Sequence, residues 1–146
     1  MKDWDHKGSR DVDNVMGAYY LIRRDAFEKA RGFDERFFVY LEDVDLSLRI
    51  MQNGGRVYYN SDISIIHHGQ GTTSSVVGYR LYLGNQSRLA YAKKHWSIPG
   101  FILYLISLFT IGFLVRIFRS LIKWDIVEIK SVFETYAYHL GMKKKL

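Results

Sequence analysis

Three carboxylates, Glu42, Asp43 and Asp45, fall within four residues of the stretch FFVYLEDVDLSLR, residues 37–49. A carboxylate within hydrogen-bond reach of a hydroxyl can take its proton as the oxygen attacks an electrophile. The same acids can also do something plainer. Val44, Leu48 and Met51 recur at helical spacing, so a helix with that face inward opens near residue 43. Its first turn has unpaired backbone N–H groups at the positive end of the helix dipole, which Glu42 and Asp43 would satisfy. Asp45 and Arg49, four apart, have the spacing of an ion pair on one helix face. Base chemistry and helix capping therefore compete for the same side chains.

The elements that must position these acids can be read on either side of them. Residues 1–13 are polar and read as a loop. Residues 15–23, VMGAYYLIR, are aromatic and β-branched enough for a buried strand. Gly17 stands near its start, where a strand glycine often marks close approach of the backbone to a ligand or another chain. Asp25 can cap a short helix running to about residue 30, which Gly32 would end. GFDER then turns the chain, and Phe37, Phe38 and Tyr40 supply bulk under the acids. Asn53-Gly54-Gly55 stops the acidic helix. Residues 56–59 and 63–66 read as two short strands, followed by His67, His68 and a polar loop over residues 69–75. An imidazole there can bind a metal or an anion, or be an ordinary packed side chain. Since a strand alternates faces, only one of the two histidines should point into a site.

Charge divides the chain. Residues 1–75 hold 10 basic and 12 acidic side chains, net −2, whereas residues 76–146 hold 11 and 3, net +8. Residues 76–96 return to a helical pattern bearing Arg80, Arg88, Lys93 and Lys94, and the single proline, Pro99, marks its end. Residues 97–115 contain no charge over 19 positions, close to the roughly 20 residues needed to cross a hydrocarbon core. Trp96 and Trp124 sit at the edges, with Arg116, Arg119 and Lys123 on the far side. A spanning helix is the first reading, a re-entrant or interfacial helix the second and a buried soluble helix the third. Residues 125–140 are amphipathic through Ile126, Ile129, Phe133, Tyr136 and Leu140, and Lys143-Lys144-Lys145 follow. That helix can lie among lipid headgroups or pack back on the protein. The basic residues flank apolar stretches, so a membrane fits them better than nucleic acid does.

With 48% hydrophobic and 16% aromatic residues the 146-residue chain is not disordered. The absence of cysteine excludes disulfides, thiolate metal sites and thiol nucleophiles. No apolar run follows Met1, so no secretion signal is expected. Two regions are expected, residues 1–96 and residues 97–146.

Three stretches in register, VMGAYYLIRRDAF (15–27), GFDERFFVYLEDVDLSLRI (32–50) and IIHHGQGTTS (65–74), resemble the C-terminal part of the catalytic domain of family 2 glycosyltransferases. The likeness is to the bacterial rhamnosyltransferase-like branch and covers residues 12 to 95 or so. It implies an α/β class, part of the A-type glycosyltransferase fold, followed here by membrane-associated helices. It also implies a nucleotide-sugar donor, a cell-surface glycan or lipid-linked acceptor, and transfer with inversion. The resemblance puts the general base on Asp43, with Glu42 sharing acceptor contacts. Gly17, Asp45 and Arg49 join them on the substrate side, the last two by fixing the helix start. A divalent cation, Mg²⁺ or Mn²⁺, is implied as partner of the diphosphate, and His67 matches the histidine that joins it. Such hard ions prefer oxygen ligands and would take most from elsewhere.

The family's donor-binding half, with its Asp-x-Asp on a strand end, is not visible. Asp3-Trp4-Asp5 and Asp11-Val12-Asp13 have the letters but no apolar strand before them. The expectation is therefore a truncated or split enzyme, inactive alone, at the cytoplasmic face of the inner membrane and possibly completed by a separate donor-binding half. The alternative is a non-catalytic membrane-bound interaction module that keeps part of the fold.

Overall fold

Leu46 and Ile50, one helical turn apart, organise the packing of the first part of the chain. They bury themselves with Ala30, and Tyr20, Ile22 and Phe27 pack around them. The structure, a computed structural model, describes residues 4–67 and 77–142. His68, the 69–75 loop and the lysine tail lie outside the described residues. The chain falls into two compact units, Met1–Gly69 and Gln70–Leu146.

In chain order the first unit holds β1 (Arg10–Asp11), α1 (Arg24–Lys29), α2 (Glu42–Gln52) and β2 (Tyr58–Tyr59). β1 and β2 pair antiparallel, Arg10 opposite Tyr59 and Asp11 opposite Tyr58. Helix α2 ends at Asn53 and Gly54 as its stop signal predicts, and Lys29 Nζ donates to the Asn53 carbonyl at 2.7 Å. The inward face differs from the one the spacing suggests. Leu46 and Ile50 are buried, while Val44, Leu48 and Met51 are only half-buried. The apolar partners from α1 and residues 20–22 lie on the Leu46 side, so packing selects that arc. Phe37 is buried as expected, but Phe38 is 83% exposed and Tyr40 is exposed too.

Two expected strands are absent. Residues 15–23 and 63–66 form no ladder, and among the described residues β1–β2 is the only one. A strand needs a neighbour to take its N–H and C=O groups, and an isolated pair is marginal at best. The α/β character is thus reduced to two-residue strands beside the helices. Asp25 does not cap α1. It lies inside the first turn, and its carboxylate takes the Arg23 guanidinium at 3.1 Å. The chain leaves α1 through Arg31 and Gly32, both with positive φ.

The second unit holds α3 (Val77–His95), α4 (Ile98–Phe109), α5 (Ile111–Ile122) and α6 (Ile126–His139). Helix α3 packs on α4 and α6 and falls with them in the second compact unit. Ser97 caps α4, its Oγ accepting from the Gly100 N–H, with Pro99 in the first turn. The uncharged run is not one uninterrupted helix. Thr110 divides α4 from α5 and its Oγ1 donates back to the Ile106 carbonyl at 2.8 Å, a bond that bends helices. Of the two readings for the amphipathic segment, α6 takes the second and packs back on α3 and α5. It buries Ser131, Val132 and Thr135, and leaves Ile126, Phe133 and Leu140 exposed.

Candidate active site

The acidic helix begins under backbone strain. Tyr40 and Leu41 both have positive φ, 66° and 67°. For bulky L-residues the left-handed conformation costs about 1–2 kcal/mol each. Leu41 stands at the N-cap and has no side chain that can accept from the first turn. The acids that follow are left with the work of ordering that turn, and they divide it unequally.

Asp43 is held by two backbone donors. Its Oδ1 accepts from the Val44 N–H and its Oδ2 from the Gly17 N–H, both at 2.8 Å. It is half-buried and makes no ion pair among the described residues. The Gly17 approach depends on the missing side chain, since a Cβ there would stand 3.3 Å from Asp43 Oδ2. Glu42 is half-buried beside it, and its Oε2 is buried with no partner among the described residues. A buried polar atom left unpaired costs about 1–3 kcal/mol, and more when charged.

Asp45 is 0% exposed and pairs with Arg49 at 2.8 Å. Arg49 Nη1 also makes a close hydrogen bond to the Ala30 carbonyl, tying α2 to the end of α1. Tyr20 and Ser47 hydroxyls meet at 2.9 Å and fasten the 15–23 segment to the same helix. Asp45 therefore has no surface through which to touch a sugar. With Arg49 it lies beneath the site and holds the helix start in place.

His67 lies apart from this constellation. It is exposed at the rim of a cleft of about 960 Å³, walled by Met16, Tyr19, Leu21, Ile63 and Ile65 among others. Neither Gly17 nor Asp43 lines that cleft, and His67 makes no hydrogen bond to Asp43. Arg23 and Asp25 also border it, and the hydrogen bond from Arg23 holds the Asp25 carboxyl below its ordinary range. No group of three His, Asp or Glu side chains able to hold a metal exists among the described residues. One imidazole does not hold a hard divalent cation by itself, so the other ligands would have to come from elsewhere.

Structure thus brings Gly17, Glu42 and Asp43 together, sets Asp45 and Arg49 below them, and leaves His67 outside. Sequence reasoning missed the left-handed pair Tyr40–Leu41. Neither residue type announces a positive φ, so no local signal was available. It also missed the exposed Phe38 just before the acids.

A carboxylate at a strained helix start, fixed by an incoming N–H and keeping lone pairs free, is suited to take the proton of a hydroxyl that receives a transferred group. Residues 4–138 match the family described as glycosyl transferase family group 2, and the chain belongs to that family. It is similar to the N-acetylglucosaminyl-diphospho-decaprenol L-rhamnosyltransferase of Mycobacterium tuberculosis, 41% identical over 94 residues, covering 62% of this chain and 31% of the relative. It is also similar to the rhamnosyltransferase WbbL of Escherichia coli, 39% identical over 92 residues, covering 62% and 35%. The O-antigen biosynthesis protein RfbC of Myxococcus xanthus is 44% identical over 60 residues, 41% of this chain and 5% of that protein. The chain spans about a third of the length of the two rhamnosyltransferases. No solved structure matches it.

Proposed function

We propose that this chain is the acceptor-side part of an inverting glycosyltransferase, with Asp43 as general base. The sugar is rhamnose and the acceptor a lipid-diphosphate-linked glycan, by likeness to the named activities of its relatives. The observation that carries the reading is the Asp43 carboxylate fixed by the Gly17 N–H, with the unpartnered Glu42 oxygen beside it. Each Asp43 oxygen accepts one backbone bond and keeps a second lone pair for an incoming hydroxyl. Glu42, half-buried next to it in the chain, shares the acceptor contacts.

In the transfer, the acceptor oxygen bonds to the anomeric carbon from the face opposite the nucleoside diphosphate. The carbon–oxygen bond to phosphate breaks and its electron pair leaves with the diphosphate. The hydroxyl proton passes to Asp43. Asp45 and Arg49 act through position, since they keep α2 in register with α1. Nucleotide binding and any divalent cation depend on residues beyond those described here, the imidazole of His67 being the one ligand this part offers. Residues 15–23 and 63–66, extended in sequence character but unpaired, are where we place the contact with a donor-binding half. The apolar helices associate with a membrane, which keeps the acceptor side close to a lipid-linked substrate.

The test uses the complete enzyme that contains residues 1–146, assayed for rhamnosyl transfer from its nucleotide donor to a lipid-diphosphate-linked N-acetylglucosamine. Asp43→Asn should lower turnover by about 10²–10⁴-fold, the usual worth of a positioned base. Unchanged turnover would remove Asp43 from the reaction, whereas no transfer by the complete enzyme with Asp43 intact would favour the non-catalytic interaction module.

A further inference from the structure

Residues Ile98–Ile122 make a run of 25 residues long and apolar enough to cross a membrane, with none of its most apolar window buried. What packs against that run decides how it can meet lipid. One side is open, with Ile102, Leu103, Ile106, Leu114, Phe118 and Leu121 exposed along α4 and α5. The other side is occupied from end to end. Trp96, at the end of α3, meets Tyr104, and along α6 Phe133 meets Phe113 and Arg119 pairs with Glu128. The Tyr136 hydroxyl donates to the Leu108 carbonyl at 2.7 Å. Numbers fall on α5 as they rise on α6, so the two run antiparallel.

Helix α3 runs parallel to α6 and close against it. Thr135 Oγ1 donates to the Gly78 carbonyl at 2.9 Å, and the Tyr82 ring packs at an angle against Tyr138 and edge-on against His139. A Cβ on Gly78 would come within 2.8 Å of Glu134 Cβ, so the two helices meet almost backbone to side chain. Along its length, therefore, the apolar run is flanked by helices that carry charge. Arg88 lies beside the α4 half and is exposed, and Lys130 lies beside the α5 half and is exposed as well. If the run crossed a bilayer, these helices would enter the hydrocarbon with it, and charged side chains at that depth are strongly disfavoured.

We propose that α4 and α5 lie in the plane of the membrane, their open stripe sunk into one leaflet of an anionic phospholipid bilayer, with α3 and α6 above it in the headgroup layer and water. This rests on the membrane reading given above and fixes its geometry. Charge complementarity supports the occupant: Lys93 precedes the run, Lys123 follows it, and Arg116 stands within its second half. Trp96 and Trp124 mark its two ends, the second 90% exposed, as interfacial side chains do. An in-plane stripe satisfies the apolar face of α4 and α5 and the charges of α3 and α6 together. A crossing satisfies only the first.

The chain contains no cysteine, so single cysteines report position without background. Lys93 and Lys123 are both exposed. Lys93→Cys and Lys123→Cys in the full chain should be labelled by a membrane-impermeant maleimide in sealed inside-out vesicles, to the same extent with and without detergent. Labelling of one position only until detergent is added would mean a crossing, overturning the in-plane geometry while leaving membrane association intact. A full chain that stays out of the membrane fraction and does not float with phosphatidylglycerol-containing vesicles would overturn both. Recovery as a soluble dimer would assign the stripe to a second copy and overturn the proposal likewise.

Discussion

Helices α2 and α6 both open with acidic residues, and they use them in opposite ways. At α6, Asp125 is the N-cap and its carboxylate accepts from the Glu128 N–H at 2.8 Å, while Glu128 itself pairs with Arg119. Those two acids satisfy the first turn and tie the helix to α5. At α2 the N-cap is Leu41 in a left-handed conformation, preceded by a second left-handed residue. Glu42 keeps an oxygen with no partner among the described residues, and Asp43 divides its two oxygens between the Val44 N–H of its own first turn and the N–H of residue 17. Only Asp45, through Arg49, behaves as a structural acid. An acidic helix start that serves stability alone has the α6 form. The departure of α2 from that form, with strain and an unsatisfied acceptor in one place, is what supports reading it as a site.

The contrast can be broken most sharply at Asp43 and Asp45. Asp43→Asn keeps shape but offers one acceptor oxygen to the Gly17 and Val44 N–H groups, so stability should fall modestly, by about 1 kcal/mol, while turnover falls about 10²–10⁴-fold. Asp45→Ala should do the reverse in kind. It leaves the Arg49 guanidinium without its carboxylate in a buried place, where breaking a pair costs about 3–5 kcal/mol. Urea unfolding should show that loss, and any decline in turnover should follow the unfolded fraction. A stable Asp45→Ala protein with no turnover would mean that Asp45 acts chemically after all. Asp125→Ala should cost about 1 kcal/mol, the ordinary worth of an N-cap, with specific activity unchanged.

How much of this was legible in the sequence depends on whether the cause was local. The stop of α2 at Asn53-Gly54, the helix over Val77–His95, the Asp45–Arg49 pair and the boundary at Pro99 all follow from neighbours in the chain. The strands at 15–23 and 63–66 did not form because a strand is settled by its neighbour, and none is present among the described residues. The inward face of α2 was misread since Leu46 and Val44 are equally apolar, and the position of Tyr20, Phe27 and Ala30 chose between them. The acids of the site were visible by type and spacing. Which of them would be buried was not, because Asp43 and Asp45 stand two apart and diverge around the helix. The break at Thr110 was equally hidden, as its hydroxyl bond back to Ile106 is one of several that a threonine can make.

The smallest expected effect is at Gly17, and it separates a positioned base from a packed one. Gly17 has no positive φ, so alanine is conformationally allowed there. Replacing glycine at such a site stabilises by about 0.4–1 kcal/mol through the unfolded chain. Against this, the new Cβ would sit 3.3 Å from Asp43 Oδ2 and 3.5 Å from Asp43 Cβ, so the carboxylate must give by a few tenths of an ångström. The two contributions nearly cancel in stability. They do not cancel in turnover, because only the second moves the base. A displacement near 1 Å can cost about 10²-fold, so Gly17→Ala should lower kcat by several-fold and leave KM for the nucleotide donor unchanged. Gly17→Ala with unaltered kcat and a raised melting temperature would make the contact ordinary packing and α2 a second version of α6.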